Sequence, residues 1–400
     1  MVLAIVALMA SVLAPPDRAA TEPAAAPQAL DAGVIEDARR RQRRRRGLLS
    51  AVALAAIVAA AAGFILTGGG STGRVSDPRS SSVPAVSTAR VLSGTPIQTA
   101  NALGSVWVLT CERNCSAPPQ KQSFGRLFRV NSHTGQIVQR IDVTDPQAFA
   151  IGDGAAWIVD FYAGRVKRVD PRTGRTIQTV SLPLLKRLGP DGRRFLPSDI
   201  SAGRGAVWVA SARGWLAEIN ARSGRVVSLV RAPFDATGHV VVGAHGTWVA
   251  ESSLGVGVVR PGDSRLKLLA IKTGSGQVAA DQLALGGGLV WAYGEIAASA
   301  SRNGGGVLTN TARLITLDQR TGRIVHQLRF PAGPYEIAYG SGGLFAANSR
   351  TGRLFRIDTR YRVHALRPVR GPGTLIAVTP GTIWATTKSG VVRRIAVPTR

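Results

Sequence analysis

Residues 152–174 read GDGAAWIVDFYAGRVKRVDPRTG, and variants of this stretch recur down the chain. Its first half places an aromatic residue after a Gly-x-apolar step, and its second half ends in Asp-x-x-Thr-Gly. Another clear copy of the second half is RLITLDQRTG, residues 313–322. Seven aromatic residues mark the copies: Trp107, Trp157, Trp208, Trp248, Trp291, Phe345 and Trp384.

Successive aromatic positions are separated by 39 to 54 residues. A repeat of about 40–50 residues made of short strands is typical of a β-propeller blade. We therefore predict an all-β fold over residues 86–400, a seven-bladed β-propeller of four-stranded blades. The last copy supplies only three strands, so residues 87–93, STARVLS, are predicted to add the fourth and close the ring.

The N-terminal region is predicted to contain one transmembrane helix, residues 47–67. Residues 48–66 read LLSAVALAAIVAAAAGFIL and carry no charge. Nineteen helical residues span roughly 28 Å, close to the ~30 Å core of a bilayer. We interpret residues 1–46 as a disordered, Arg-rich cytoplasmic segment and residues 68–85 as a Gly/Ser/Pro linker.

Seven arginines between Arg39 and Arg46 stand immediately before this span. Basic residues at one end of a span stay cytoplasmic, so the N-terminus is predicted inside the cell and the propeller outside. No small-residue cleavage site directly follows the span, which favours an uncleaved anchor over a secretory signal. A nucleic-acid patch is the alternative for the arginine run, and its position against the span weighs against that alternative.

The formal net charge is +27, of which +24 belongs to residues 68–400. So basic a propeller would attract anions such as cell-wall phosphates, acidic lipids or nucleic acid. The alternative is an arginine-rich composition spread evenly over the surface. The basic residues are scattered along all repeats, which favours the second interpretation.

The two cysteines, Cys111 and Cys115, lie four residues apart in the sequence CERNC. Outside the membrane a close pair favours a disulfide. A metal site is the alternative, but no further Cys or His stands near enough in sequence to complete a zinc set.

Long insertions are predicted to gather on one face of the propeller. Turns between strands one and two, and between strands three and four, are short. The other connections lie on the opposite face, and every long insertion falls there: residues 111–123, 182–197, 231–238 and 294–311. Long loops on one rim of a rigid scaffold are where binding usually occurs, so this face is the predicted binding face.

Polar residues are predicted to ring the mouth of the central channel at that face. The position nine residues before each aromatic is occupied by Gln98, Ala148, Asp199, His239, Gln282, Glu336 and Leu375. The position three residues after it is occupied by Thr110, Asp160, Ser211, Glu251, Gly294, Asn348 and Thr387.

These residues suggest either a binding site or a hydrated channel lining. Candidate binding residues are Asp160, Asp199, Glu251, Gln282 and Asn348. Carboxylates such as Asp199 and Glu336 could hold Mg²⁺ or Ca²⁺, and His239 could act as a base beside Glu336. No cofactor is indicated beyond that possible Mg²⁺ or Ca²⁺.

The Gly-x-apolar-Trp and apolar-Asp-x-x-Thr-Gly units resemble the YVTN-type propeller repeats and the seven-bladed streptogramin (virginiamycin B) lyases. The resemblance covers roughly residues 86–400. Likeness to the lyases implies Mg²⁺-assisted opening of a cyclic depsipeptide by elimination, with a His base and a metal-holding carboxylate; His239 with Glu336 or Asp199 is the match. The residue after Trp is Val, Ile or Ala here, where the lyase unit has Phe.

We therefore expect a single-pass protein of a bacterial plasma membrane that displays the propeller outside the cell. The favoured function is a binding module whose ligand sits on the long-loop face. The alternative is a metal-dependent carbon–oxygen lyase at the channel mouth. The expected partner is an unknown protein, a cell-wall polymer or a small molecule, rather than nucleic acid.

Overall fold

The computed structural model describes residues 86–115, 122–182, 197–211, 214–232, 238–251, 255–273, 276–297, 308–369 and 371–397. The segment 1–46, the predicted span 47–67 and the linker 68–85 lie outside these residues. In the described ranges, no helix has the length and apolar character needed to cross a bilayer.

Within the described ranges, 29 strands form seven antiparallel sheets, one for each repeat. Blade 1 contains β2 (Thr95–Ala102), β3 (Ser105–Arg113), β4 (Phe124–Asn131) and β5 (Ile137–Thr144), and blade 2 contains β6 (Pro146–Gly152), β7 (Ala155–Asp160), β8 (Arg165–Val169) and β9 (Thr176–Ser181). Blade 3 contains β10 (Pro197–Gly203), β11 (Ala206–Ser211), β12 (Trp215–Asn220) and β13 (Val226–Arg231). Blade 4 contains β14 (Val240–Gly243), β15 (Gly246–Glu251), β16 (Gly255–Val259) and β17 (Lys267–Leu269).

Blades 5 to 7 complete the ring. Blade 5 contains β18 (Lys272–Thr273), β19 (Gly276–Gly286), β20 (Leu289–Ala297), β21 (Leu308–Asp318) and β22 (Ile324–Pro331). Blade 6 contains β23 (Tyr335–Gly340), β24 (Gly343–Asn348), β25 (Leu354–Ile357) and β26 (Val363–Leu366). Blade 7 contains β27 (Leu375–Thr379), β28 (Thr382–Thr386), β29 (Val391–Ala396) and β1 (Val86–Val91). Neighbouring blades contact each other through strands β2, β6, β10, β14, β19, β23 and β27, and β27 contacts β2 in turn. The seven-bladed propeller is thereby confirmed.

Strand β1 closes blade 7, as the sequence predicts. It pairs antiparallel with β29, from Val86 opposite Ile395 to Val91 opposite Val391. The closing strand is 86–91 rather than 87–93. The first and last strands of the propeller are therefore joined by backbone hydrogen bonds.

The two kinds of short turn lie on one side of the propeller, here called the turn face. It comprises the turns between first and second strands (103–104, 153–154, 204–205, 244–245, 287–288, 341–342, 380–381) and between third and fourth strands (132–136, 170–175, 221–225, 260–266, 319–323, 358–362). Backbone bonds tie the two kinds together, for example from Ala221 N–H to Gly205 O at 2.9 Å. The opposite side is the loop face.

Two predicted loops at the loop face are partly strand. Strand β20 continues to Ala297 and β21 begins at Leu308, and these two residues pair within the span predicted as a loop from Gly294 to Thr311. Similarly, β3 continues to Arg113 inside the predicted loop 111–123. Blade 5 also gains a fifth strand, β18. The pattern missed these extensions because no aromatic-turn signal marks them.

The glycine three residues before the aromatic, present in six of the seven blades, is explained by its backbone conformation. In blade 2 the turn residues Asp153 and Gly154 have φ values of 48° and 77°. Two successive left-handed residues make the type I′ turn that matches strand twist in a hairpin. A Cβ built on Gly154 meets nothing within 4 Å, so the requirement is conformational and not steric.

The repeated aromatics are core residues. Trp107, Trp157, Trp248 and Trp384 are fully buried. Each aromatic shares a hydrophobic cluster with the next blade, as Trp107 does with Phe149. Each aromatic therefore packs between neighbouring blades and is not a ligand-stacking group.

Several arginines join neighbouring blades on the turn face. Arg129 lies over the ring of Trp107, 5.4 Å from its centroid, and its guanidinium donates to Pro171 O of blade 2 at 3.1 Å. Arg168 makes the equivalent bond to Arg222 O of blade 3 at 3.1 Å. Part of the positive charge is therefore structural.

Candidate functional site

The predicted mouth residues occupy the loop-face ends of the first and second strands. Asp199, Gln282 and Glu336 lie in the innermost strands β10, β19 and β23, and His239 immediately precedes β14. Asp160, Glu251 and Asn348 end the second strands of blades 2, 4 and 6. Position along the strand was thus predictable from the distance to the aromatic.

Asp199 and His239 come together on neighbouring blades. The Nε2 atom of His239 is 3.9 Å from Oδ2 of Asp199. The same Oδ2 accepts a hydrogen bond from the Val240 N–H at 2.8 Å. The side chain of Asp199 is 13% exposed and that of His239 is 29% exposed, so the pair is accessible only in part.

His239 extends this contact to blade 5. Its Nδ1 atom accepts the Leu283 N–H at 3.3 Å. Neutral His239 therefore carries its proton on Nε2, the nitrogen that faces Asp199. In this arrangement the Nδ1 lone pair, which a general base would use to take up a proton, already accepts the Leu283 N–H.

Gln98 makes the same kind of contact between blades 1 and 2. Its Oε1 atom accepts the Phe149 N–H at 2.7 Å. Gln98, Asp199 and His239 all stand nine residues before their aromatic, and each accepts the N–H of the residue eight before the next aromatic. We call this repeated contact the inner bridge. The available signal was an acceptor side chain recurring at one repeat position.

Burial shapes the electrostatics of Asp199. Removal from water raises the pKa of its carboxyl, and the neighbouring His239 and the Val240 N–H oppose that rise. The charged form is held by these two groups. Asp199 is thus a buried acceptor first, and its proton affinity is higher than that of an ordinary Asp.

The predicted metal ligands do not form a complete set in the described residues. Across the part of the chain that the structure describes, no three His, Cys, Asp or Glu side chains are grouped closely enough to hold a metal. One oxygen of Asp199 is bonded to Val240 N–H. Mg²⁺ and Ca²⁺ take six or more oxygen ligands, some of them waters, so Asp199 by itself supplies only part of such a set.

Asp160 belongs to a separate small cluster between blades 1 and 2. Its Oδ2 is 3.8 Å from Nζ of Lys167, and Nζ donates to Thr144 Oγ1 at 2.9 Å. Burial raises the pKa of Asp160, and Lys167 opposes the rise. The nearby Asp145 accepts from Ser123 N–H and Oγ. The sequence did not single out Lys167 or Asp145.

Asn348 is occupied by its own turn. Its Oδ1 accepts the N–H groups of Arg350 and Thr351 at 3.0 and 2.9 Å. This Asn-x-x-Thr-Gly turn joins β24 to β25 on the loop face, whereas the Asp-x-x-Thr-Gly turns that begin at Asp170 and Asp318 join third strands to fourth strands. Asn348 is buried and shapes the chain at this position.

The remaining predicted residues lie apart from that cluster. Gln282 is half-buried opposite Tyr293, and Glu336 is half-buried opposite Ala347. Glu251 ends β15 opposite Gly255, and its side chain lies outside the described part. The sequence-predicted set is therefore spread over five blades, and Asp199 and His239 are a pair that the fold brings into proximity.

Two further features stiffen the loop face. Cys111 and Cys115 form a disulfide where β3 leaves its blade. Between blades 5 and 6, the Tyr293 hydroxyl donates to Gly333 O at 2.7 Å, and Glu295 Oε1 accepts the Gly333 N–H at 3.2 Å. These contacts fix the described connections at their strand ends.

Comparison with known proteins identifies the fold. Neither a protein-family model nor a curated protein sequence matches the chain. Among solved structures, virginiamycin B lyase from Staphylococcus aureus is 14% identical with a TM-score of 0.57, covering 79% of this chain and 99% of the lyase. Hydrazine synthase from Kuenenia stuttgartiensis is 12% identical with a TM-score of 0.57, covering 76% and 96%.

A third similar structure is a chain of the mitotic checkpoint complex. It is 11% identical with a TM-score of 0.58, covering 83% of this chain and 99% of that chain. At such identities the likeness shows a β-propeller and nothing of activity. The comparisons support the propeller and do not single out the YVTN repeat type.

Proposed function

We propose that the chain is a membrane-anchored, extracytoplasmic propeller that binds a partner through its loop face. The observation that carries this proposal is the separation of connections by face. In the described blades, first-to-second and third-to-fourth connections are short turns, whereas the longest connections, such as the one from Ser181 to Pro197, join strand ends at the loop face. Variable loops on a rigid frame are the usual basis of recognition.

The character of the loop-face rim supports a partner with polar groups or a peptide surface. Phe161 and Tyr162 pack edge to face at the β7–β8 connection, with ring centroids 5.0 Å apart. Both are half-exposed and stand beside the buried Asp160. Aromatic residues with a polar neighbour are common contact residues in interfaces.

Site-specific photo-crosslinking in intact cells tests the proposal. A photoreactive residue at Tyr162 on the loop face should give a discrete crosslinked species, and one at Thr359 on the turn face should not. Excess purified propeller added outside should compete for the loop-face species. Crosslinks from Thr359 alone, or no competition, would contradict the proposal.

Orientation is tested independently by adding protease to intact cells. The predicted topology requires digestion of everything after about residue 68. A protected propeller would overturn the extracytoplasmic assignment while leaving the fold intact.

A second candidate is elimination of a carbon–oxygen bond in a cyclic depsipeptide. His239 and Asp199 lie 3.9 Å apart at the mouth, and the similar lyase has been solved as an inactive variant with quinupristin. For His239 to act as the base through Nδ1, its bond with the Leu283 N–H would first have to break. The test is turnover of quinupristin with Mg²⁺ by the unmodified chain and by His239→Ala. Equal turnover, or none by either protein, rejects this candidate.

A further inference from the structure

Both ends of the propeller lie on the turn face. Val86, the first residue of β1, pairs with Ile395 near the end of β29. Val397 donates its N–H to Gly381 O, within the turn that joins β27 to β28, at 2.8 Å. The chain therefore enters the propeller at the turn face, at Val86.

The edge of the turn face carries a repeated pair of one arginine and one exposed aliphatic residue. Three blades share the sequence Thr/Ser-Gly-Arg-x-Ile/Val. The aliphatic members are 51–58% exposed: Ile177, Val227 and Val325. The arginines two residues earlier are exposed as well: Arg175, Arg225 and Arg323.

A β-bulge explains why these apolar side chains face solvent. In blade 2, Thr176 pairs with Val169 and Gln178 with Arg168, so Ile177 has no partner in the ladder. Val227 and Val325 are skipped in the same way. A bulged residue is redirected away from the regular sheet face. Because the bulge recurs, the exposed aliphatic side chains recur at one level of the propeller.

The turn face carries more positive than negative side chains. Its exposed arginines are Arg172, Arg175, Arg204, Arg222, Arg225, Arg265, Arg320, Arg323, Arg360 and Arg362. Its carboxylates are Asp153, Asp170, Asp263, Asp318 and Asp358. Several of these carboxylates accept backbone N–H groups, as Asp170 does from Arg172 at 2.7 Å. Exposed cations thus outnumber exposed anions in the described part of this face.

We propose that the turn face docks on an anionic lipid surface. Guanidinium groups pair with lipid phosphates, and exposed Ile and Val side chains enter the headgroup boundary. The inference deepens the proposed membrane anchorage and rests on it, because the anchored chain would enter the propeller on this same face. The loop face would then point away from the bilayer, towards a partner.

Vesicle binding by residues 70–400 tests the docking surface apart from the predicted span. This fragment retains every described strand pairing, including β1 with β29. It should sediment with vesicles of phosphatidylcholine and phosphatidylglycerol, but not with phosphatidylcholine alone, and raised salt should weaken binding. Equal sedimentation with both vesicles would overturn the proposal.

Matched triple variants locate the surface. Arg175→Gln/Arg225→Gln/Arg323→Gln should weaken binding about tenfold or more, and Ile177→Ser/Val227→Ser/Val325→Ser should weaken it to a smaller extent. The control Arg165→Gln/Arg329→Gln/Arg353→Gln removes the same charge from exposed positions towards the loop face. Equal loss in the control would show that net charge alone is responsible and would sink the inference.

Competition separates a lipid surface from another polyanion. A short nucleic-acid duplex that binds more tightly than the vesicles, with the same loss in the turn-face variant, would assign the surface to nucleic acid and overturn the proposal. The protease test reports on membrane anchorage and topology, whereas vesicle binding reports on the turn face. Failure of either is therefore distinguishable from failure of the other.

Discussion

Asp199 and His239 lie on neighbouring blades, with Oδ2 of the aspartate 3.9 Å from Nε2 of the histidine. Each also accepts a backbone N–H from the next blade, Asp199 from Val240 and His239 from Leu283. The pair therefore spans blades 3, 4 and 5. Loss of activity on mutating either residue would need a stability control before it is assigned to chemistry.

Removal of the Asp199 acceptor should destabilise the propeller. We expect Asp199→Ala to lower the free energy of unfolding by about 1–3 kcal/mol, because the Val240 N–H loses its partner. Asp199→Asn keeps a side-chain oxygen and should lose less than about 1 kcal/mol. Urea denaturation at neutral pH measures both. An equal loss in the two variants would show that the charge, rather than the hydrogen bond, is what matters.

The type I′ turn of blade 2 should resist any residue with a Cβ. Gly154→Ala should cost about 1–2 kcal/mol, because φ is 77° and left-handed backbone is strained in L-residues. Gly154→Asn should cost less, since Asn tolerates that conformation. Thermal unfolding of both variants is the measurement. If Ala is tolerated as well as Asn, the turn adopts another conformation in solution.

Arg129 should contribute to stability through geometry as well as charge. Its guanidinium lies over Trp107 and donates to Pro171 O. Arg129→Lys keeps the charge but not the planar group, and should cost about 1–2 kcal/mol. Arg140→Lys, at an exposed position of β5, is the matched control and should stay within about 0.5 kcal/mol. Comparable losses in both would reject the interblade role of Arg129.

Protonation of Asp358 should contribute to the fall in the free energy of unfolding at acid pH. The bond from His364, 2.9 Å from Oδ2, and backbone N–H groups lower the pKa of Asp358 from 3.8 to about 2. A lowered pKa in the folded state gives stability that is present above pH about 4 and lost as pH falls through about 2. Asp358→Asn and His364→Gln should both reduce the loss of stability in this window. Acid titrations of unfolding that remain unchanged in both variants would refute the assignment.

Most of the fold could be predicted from the repeat pattern, because the residues that define each blade lie close together in the sequence. A Gly at the second turn position and an aromatic three residues later fix a hairpin, as in Gly154 and Trp157. Six blades carry this arrangement, and blade 4 has Gly246 two residues before Trp248 instead. Seven hairpins at blade spacing leave few alternatives to a closed ring. The closing strand could also be predicted from the sequence, because the last repeat lacked its fourth strand.

The side-chain hydrogen-bond partners could not be predicted from the sequence, because these bonds join residues of different blades. The contact of Gln98 with Phe149 crosses 51 residues, and no local pattern states which acceptor meets which N–H. The same reasoning explains the arginines. Arg129 and Arg168 read as scattered surface charge in sequence, and only the packing of neighbouring blades shows them bound to the next turn.

Pairing of β1 with β29 sets an order for folding during synthesis. Val86 emerges from the ribosome about 300 residues before its partner Ile395. Blade 7 therefore cannot form until β29 has been synthesised, and a chain that lacks β29 presents an unpaired strand edge that is open to wrong pairing. Loss of the six residues of β29 would thus remove the closure of the whole ring, a defect far larger than the length of chain lost.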